Sequence, residues 1–152
     1  MKARDVMTTN VQACQPDTDL AAVTKLMWDH DCGFVPVVDQ HGIAVGVVTD
    51  RDICIASATR RIPPERIAAA QVMSSPAHGC APEDALTKVL TTMKQFKVRR
   101  LPVIDDHGLL KGIVSMNDIV LATEYGKGPA PKDIVSTLAA ICEHRTIASA
   151  AA

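Results

Sequence analysis

Two four-residue runs place a hydroxyl and a carboxylate three positions apart: Thr49-Asp50-Arg51-Asp52 and Ser115-Met116-Asn117-Asp118. Each follows a glycine and two apolar residues, Gly46-Val47-Val48 and Gly112-Ile113-Val114, and each precedes a helical pattern. Thr/Ser-x-x-Asp at such a junction is a capping box, in which hydroxyl and carboxylate satisfy the helix's first N–H groups. The junction also gathers free N–H groups around one point, which suits an anion. Arg51 adds a cation to the first run, whereas Asn117 stands at that position in the second. A further cationic pair, Arg99-Arg100, lies just before Leu101-Pro102. Capping alone accounts for the tetrapeptides, and it is compatible with anion binding.

Other reactive side chains point to little chemistry. The chain has no Gly-x-Ser-x-Gly elbow, no Gly-x-Gly-x-x-Gly loop, no phosphate-loop lysine and no His-Glu-x-x-His. The five cysteines, Cys14, Cys32, Cys54, Cys80 and Cys142, are odd in number and contain no Cys-x-x-Cys pair. That argues against a disulfide framework and a zinc ribbon, so most are expected to be small buried hydrophobes. His41 and His107 read as turn residues, and Cys142-x-His144 is a thin basis for a metal site. The expectation is a protein that is not an enzyme and requires no metal.

Charge and composition exclude more. Sixteen basic residues face seventeen acidic ones, which leaves no global field for nucleic acid or an anionic membrane. The apolar fraction of 47% suffices for a core, but only 3% is aromatic, so Val, Ile, Leu, Ala and Met must fill it. The apolar runs are too short to span a bilayer, and Met1 to Thr9 has no signal-peptide stretch. A cytoplasmic location is expected.

What positions the two reactive runs is a repeat. Shifted by 66 residues, the sequence matches itself without a gap over roughly 50 positions. Val6-Met7 falls on Val72-Met73, Cys14 on Cys80, Pro36-Val37-Val38-Asp39 on Pro102-Val103-Ile104-Asp105, and Asp52-Ile53 on Asp118-Ile119. Each copy opens with a short helical lead, Ala3 to Met7 or Pro64 to Met73, then a brief strand near Val11 to Cys14 or Ala77 to Cys80. Leu20, Val23, Leu26 and Met27, and in the second copy Leu86, Val89, Leu90 and Met93, mark a helix with one buried face. A hairpin follows, with turns at Asp39 to Gly42 and Asp105 to Gly108, and a second helix begins at Thr49 or Ser115. The order is strand, helix, strand, strand, helix, twice. Half a chain buries too little surface to stand alone, so the halves are expected to pack sheet to sheet about a pseudo-two-fold axis. The expected division is 1–61, 62–125, and a segment 126–152 holding a last helix from Lys132 to His144 and a frayed end from Ile147.

The runs Val35-Pro36-Val37-Val38-Asp39 with Gly46-Val47-Val48-Thr49-Asp50-Arg51-Asp52-Ile53, and Leu101-Pro102-Val103-Ile104-Asp105 with Gly112-Ile113-Val114-Ser115-Met116-Asn117-Asp118-Ile119, closely resemble the CBS (cystathionine-β-synthase) motif. The resemblance covers nearly all of residues 3 to 123 and occurs twice in register. It implies an α/β Bateman module of two β-α-β-β-α motifs, a sensor that binds an adenosine-containing ligand between them. The implied ligand is an adenine nucleotide such as AMP, ADP or ATP. Thr49 and the helix start would take phosphate, Asp52 the two ribose hydroxyls, and Arg51 would pair with phosphate. By carry-over from similar modules, Arg99 and Arg100 would reach across to that first site. The second, Ser115 with Asp118, would face Gly33 and Phe34 and lack charge. Apolar residues near Val11 and Val35-Pro36, or Ala77 and Leu101-Pro102, would flank the adenine. Similar modules also pair into dimers, so a homodimer is expected, together with a regulated protein of unknown identity. The competing reading is a ligand-free interaction scaffold. Trp28 and Phe34 are expected in the core or a dimer interface.

Overall fold

The computed structural model describes residues 1–143. His144 and the alanine-rich end from Ile147 lie outside the described residues. The helices are α1 (Leu20–Asp29), α2 (Asp50–Thr59), α3 (Leu86–Phe96), α4 (Met116–Glu124) and α5 (Pro131–Cys142), and the strands are β1 (Phe34–Val38), β2 (Ala44–Thr49), β3 (Arg100–Ile104) and β4 (Leu110–Ser115). Short 3-10 turns at Ala3–Asp5, Pro64–Arg66 and Ala69–Gln71 stand where the helical leads were expected. Among the described residues no helix is long and apolar enough to cross a membrane.

The repeat is visible in the registers. Phe34 pairs with Thr49 and Val37 with Gly46; Arg100 pairs with Ser115 and Val103 with Gly112, and both hairpins slip by one residue near their tips. The expected first strand of each copy shrinks to one parallel bridge, Cys14 to Val37 and Cys80 to Val103. Pro36 and Pro102 interrupt the N–H row of their strands, and their carbonyls accept from Cys14 N and Cys80 N, each at 3.0 Å. The hairpin ends meet across the pseudo-axis: Ala44 N donates to Gly108 O at 3.0 Å, and Leu110 N to Gly42 O at 3.3 Å.

The leads are exchanged between the repeats. Ala3, fully buried, joins Leu86, Val89, Met93, Leu101 and Val114 in the second core, with Val6 and Met7 packed on it. Ile67 and Ala69 join Leu20, Val23, Val35 and Val48 in the first, with Val72 and Met73 packed on it. Backbone bonds tie the exchange: Ala3 N to Asp84 O at 2.8 Å, and Leu20 N to Ile67 O at 2.9 Å. Thr8 then bridges Ile113 on β4, while Ser74 bridges Val47 on β2. Gly112 and Gly46 permit that approach, because a Cβ on Gly112 would lie 2.6 Å from Thr8 O and one on Gly46 2.9 Å from Ser74 O. Each half therefore completes its core with the other half's lead.

The two helical faces differ. α5 lies against α3, burying Ile134 and Thr137 with Leu138 and Ile141 beside them. Lys94 Nζ reaches Ser136 Oγ at 3.0 Å, and Lys97 Nζ reaches Glu143 at 2.9 Å. Trp28, at the α1 position equivalent to Lys94, is 85% exposed, so of the two expected places, core or dimer interface, it does not take the core. Phe34 is buried, as expected, and Met27 and Met93 lie in the two cores.

Candidate ligand cleft

Each capping box forms in full. Thr49 N and Oγ1 donate to Asp52 Oδ2 at 2.9 and 2.7 Å, and Asp52 N returns a bond to Thr49 Oγ1. Ser115 N and Oγ donate to Asp118 Oδ2 at 2.7 and 2.6 Å, with Asp118 N returning to Ser115 Oγ. In both, the two donors of the cap occupy Oδ2, and Oδ1 takes no part in the cap. A bidentate grip using both oxygens of Asp52, as the resemblance implied, is thus reduced to one oxygen, because the helix cap already engages the other.

Beyond the cap the two junctions diverge. At α4, Met116 N donates to Arg99 O at 2.9 Å and Asp118 N is capped, leaving Asn117 N–H as the first-turn donor without an intrahelical acceptor. At α2, Asp50 N donates to Gly33 O, and the equivalent donor, Arg51 N, is bonded to Asp50 Oδ1 at 2.7 Å. A carboxylate therefore occupies the anion position at the start of α2, where α4 has the apolar Met116. This opposes a phosphate at Thr49 by charge and by competition for the same N–H. The sequence shows Asp50 only as a position inside the motif at which the two repeats differ, Asp50 against Met116.

A cavity of 260 Å³ opens over the α4 junction. Ser115, Asp118 and Arg100 line it with Ile113, and the first repeat contributes Thr8, Asn10, Val11, Gln12, His30, Cys32 and Phe34. Arg100 stands directly across the hairpin from Ser115. The resemblance put Arg100 over Thr49 and Asp52; here it joins the second junction, beside its own strand partner. Arg99 is exposed before β3, and Arg51 is exposed on the first turn of α2. Val11 lines the cavity. Val35 and Leu101, expected beside the adenine, are both 0% exposed, because the strand alternation turns them into the two cores. Pro36 and Pro102 are buried with them. Thr8, His30 and Cys32 escaped sequence reasoning because they reach the cleft only through the exchanged lead and the α1–β1 connection.

At the first junction, the residues equivalent to Gln12 and His30 are His78 and Phe96. Their rings lie face to face, 3.7 Å between centroids and 11° from parallel.

The cysteines are free. Burial pushes the Cys14 thiol up to about 11 and, aided by Asp84 against Lys88, the Cys80 thiol up to about 12. Both are inert core groups, whereas Cys54 and Cys142 are exposed. Among the described residues no three His, Cys, Asp or Glu side chains gather to hold a metal ion.

Two interleaved copies of a strand-helix-hairpin-helix unit, each capped by Thr/Ser-x-x-Asp, define a CBS pair. The sequence profile of the CBS domain matches residues 3–59 and 69–125, and the chain belongs to that family. It is 33% identical over 118 residues to the CBS domain-containing protein YhcV of Bacillus subtilis, covering 78% of this chain and 82% of that one. Hypoxic response protein 1 of Mycobacterium tuberculosis is 29% identical over 147 residues, covering 97% and 98%. A crystal structure of Hypoxic Response Protein I with two coordinated zinc ions superposes with a TM-score of 0.74 at 29% identity, over 80% of this chain and 98% of that one. The structure of CBSX2 in complex with AMP gives 0.71 at 25% identity, over 83% and 98%. The CBS domain pair of protein MJ0100, in complex with 5′-methylthioadenosine and S-adenosyl-L-methionine, gives 0.74 over 84% and 98%; at 23% identity the likeness is one of fold.

Proposed function

We propose that this CBS pair is a regulatory sensor that binds an adenine nucleotide of the AMP, ADP or ATP type. The proposed site is the cleft over Ser115 and Asp118. The observation that carries the reading is the convergence in one cavity of Arg100, Ser115 and the Asp118 carboxylate, of which the α4 cap engages Oδ2 and leaves out Oδ1. Arg100 and the Asn117 N–H meet phosphate, Asp118 Oδ1 accepts from a ribose hydroxyl, and Val11, Ile113 and Phe34 supply apolar walls for the base. The AMP complex of CBSX2 supports the class of ligand.

The cleft is built from both repeats, so a ligand that bridges them favours one relative arrangement and shifts the population presented to a regulated protein. The exposed apolar residues Trp28, Ile55, Leu121 and Tyr125 supply the face for that protein or for a second copy in a homodimer.

Calorimetric titration with AMP, ADP and ATP tests the reading. The expected result is saturable binding of at least one of them, abolished or weakened by Arg100→Ala. No heat from any of the three, with the protein folded, removes the sensor reading and leaves the exposed apolar face as the functional surface.

A further inference from the structure

One thiol lies on the wall between two cavities. Cys32, in the loop between α1 and β1, lines the proposed nucleotide cleft with His30, Phe34 and Ser115, and it also lines a groove of 550 Å³ between α1 and α2. Cys54 of α2 lines that groove with it, beside Met27, Trp28 and Asp50. Backbone contacts bring the two cysteines to one side of α2. Cys32 N donates to Met27 O at 3.0 Å, and Gly33 O accepts from Asp50 N at 3.3 Å. Gly33 packs so closely on Asp50 that a Cβ there would lie 2.5 Å from Asp50 Oδ2. Cys54 follows Asp50 by one helical turn, so the two share a face of α2. Both thiols are free; Cys54 is exposed and Cys32 half-buried. The equivalent residues of the second repeat are Val98 and Val120, so the pair exists in one repeat only.

We propose that Cys32 and Cys54 form a redox pair that closes the α1–α2 groove as an intramolecular disulfide and passes its state to the adjoining nucleotide cleft. The co-reactant is a low-molecular-weight disulfide. The Cys54 thiolate, the more accessible of the two, attacks one sulfur of that disulfide; its S–S bond breaks, a mixed disulfide forms on Cys54, and a thiolate leaves. The Cys32 thiolate then attacks Cys54 Sγ, forming the Cys32–Cys54 bond and expelling the second thiolate. Two protein thiols are oxidised, the small disulfide is reduced to two thiols, and the two protein protons go to the leaving thiolates. Bridging needs the two Cα atoms within about 7 Å. The Cys32 end supplies the adjustment, because His30 to Gly33 belong to no helix or strand. Drawing Cys32 toward α2 moves a wall of the cleft over Ser115, and by linkage a nucleotide in that cleft holds Cys32 back from closure. That coupling rests on the nucleotide reading of the first cleft, whereas the disulfide itself does not.

The test uses the full chain carrying Cys142→Ser, so that the exposed Cys142 takes no part. Reduced protein is treated with the aromatic disulfide dithiobis-nitrobenzoate, and its tryptic peptides are read by mass spectrometry. The expected product is peptide 26–51, which holds Cys32, joined to peptide 52–60, which holds Cys54. Adding Cys54→Ser should abolish the joined peptide, and the map of the parent chain decides the matter even where that variant fails to fold. Stable mixed disulfides on Cys54 with no joined peptide overturn the pair. AMP titration of the two states reads the coupling: the oxidised chain should bind AMP about fivefold or more weakly than the reduced chain, with the affinity returning on reduction by dithiothreitol. Equal affinity in the two states overturns the coupling. AMP binding to neither state removes the nucleotide reading and the coupling with it, while a joined peptide still upholds the pair.

Discussion

The two capped junctions share their hydrogen bonds and differ in what surrounds them. At α4, the cap is followed by Met116 and Asn117, and Arg100 stands opposite Ser115. At α2, the cap is followed by Asp50 and Arg51, Phe34 stands opposite Thr49, and the Asp50 carboxylate takes the Arg51 N–H. The duplicated motif therefore fixes where a helix begins and which carboxylate oxygen the cap engages. It leaves the identity of the ligand to four or five neighbouring side chains. Capping is a folding device that both repeats need, whereas an open, cationic rim is needed only where a phosphate is to sit. The helical faces repeat the lesson: α5 covers α3, but Trp28 on the equivalent face of α1 stays exposed.

The comparison breaks most completely if the repeats are separated. Residues 1–62 alone lose Ile67, Ala69, Val72 and Met73 from the first core, and their own Ala3, Val6 and Met7 have nothing to pack against. We expect that fragment to be unfolded by circular dichroism. A fragment of residues 9–76, which keeps the first core whole, should retain more helix. Equal helicity in the two would contradict the exchange of leads.

A smaller effect is expected from Gly112→Ala and Gly46→Ala. Each drives a methyl into the backbone of the exchanged lead and should cost roughly 1–3 kcal/mol in urea or thermal melts. Because both junctions are built alike, the two losses should be similar; a neutral G112A would mean that Thr8 does not pair as described.

The equivalent thiols Cys14 and Cys80 should remain unmodified by iodoacetamide at pH 8, because burial leaves each with roughly a thousandth or less of its thiolate. Cys54 and Cys142 should react readily. The same shifts have a stability consequence. The folded state holds these protons more tightly than the unfolded chain, so their contribution is intact below about pH 9. It is lost as pH rises through the folded values of about 11 and about 12. Melting temperature should fall across that window, and Cys80→Ser should flatten part of the decline.

Much of this was legible before any coordinates. The 66-residue repeat, the hairpins with their Asp-x-His-Gly turns, and the amphipathic α1 and α3 are local patterns, and local patterns survive folding. The Thr49 and Ser115 caps were legible for the same reason. The exchange of leads was not, because Ala3 and Ile67 carry no mark of which core they enter. The placement of Arg100 beside Ser115 follows from a strand register, and carry-over from similar modules sent it to the other junction instead. Val35 and Leu101 read as apolar walls, but which face of a strand meets a ligand depends on a pairing that sequence alone leaves open. The stack of His78 on Phe96 joins residues 18 apart that no periodicity links.

The most direct measurement compares AMP affinity in Asp118→Ala and Asp52→Ala under one set of conditions. Removing the carboxylate of the open cleft should weaken AMP about ten- to a hundredfold in D118A, while D52A stays within about threefold of wild type. AMP binding lost in D52A and retained in D118A would contradict the account and return the nucleotide to the junction that Asp50 occupies.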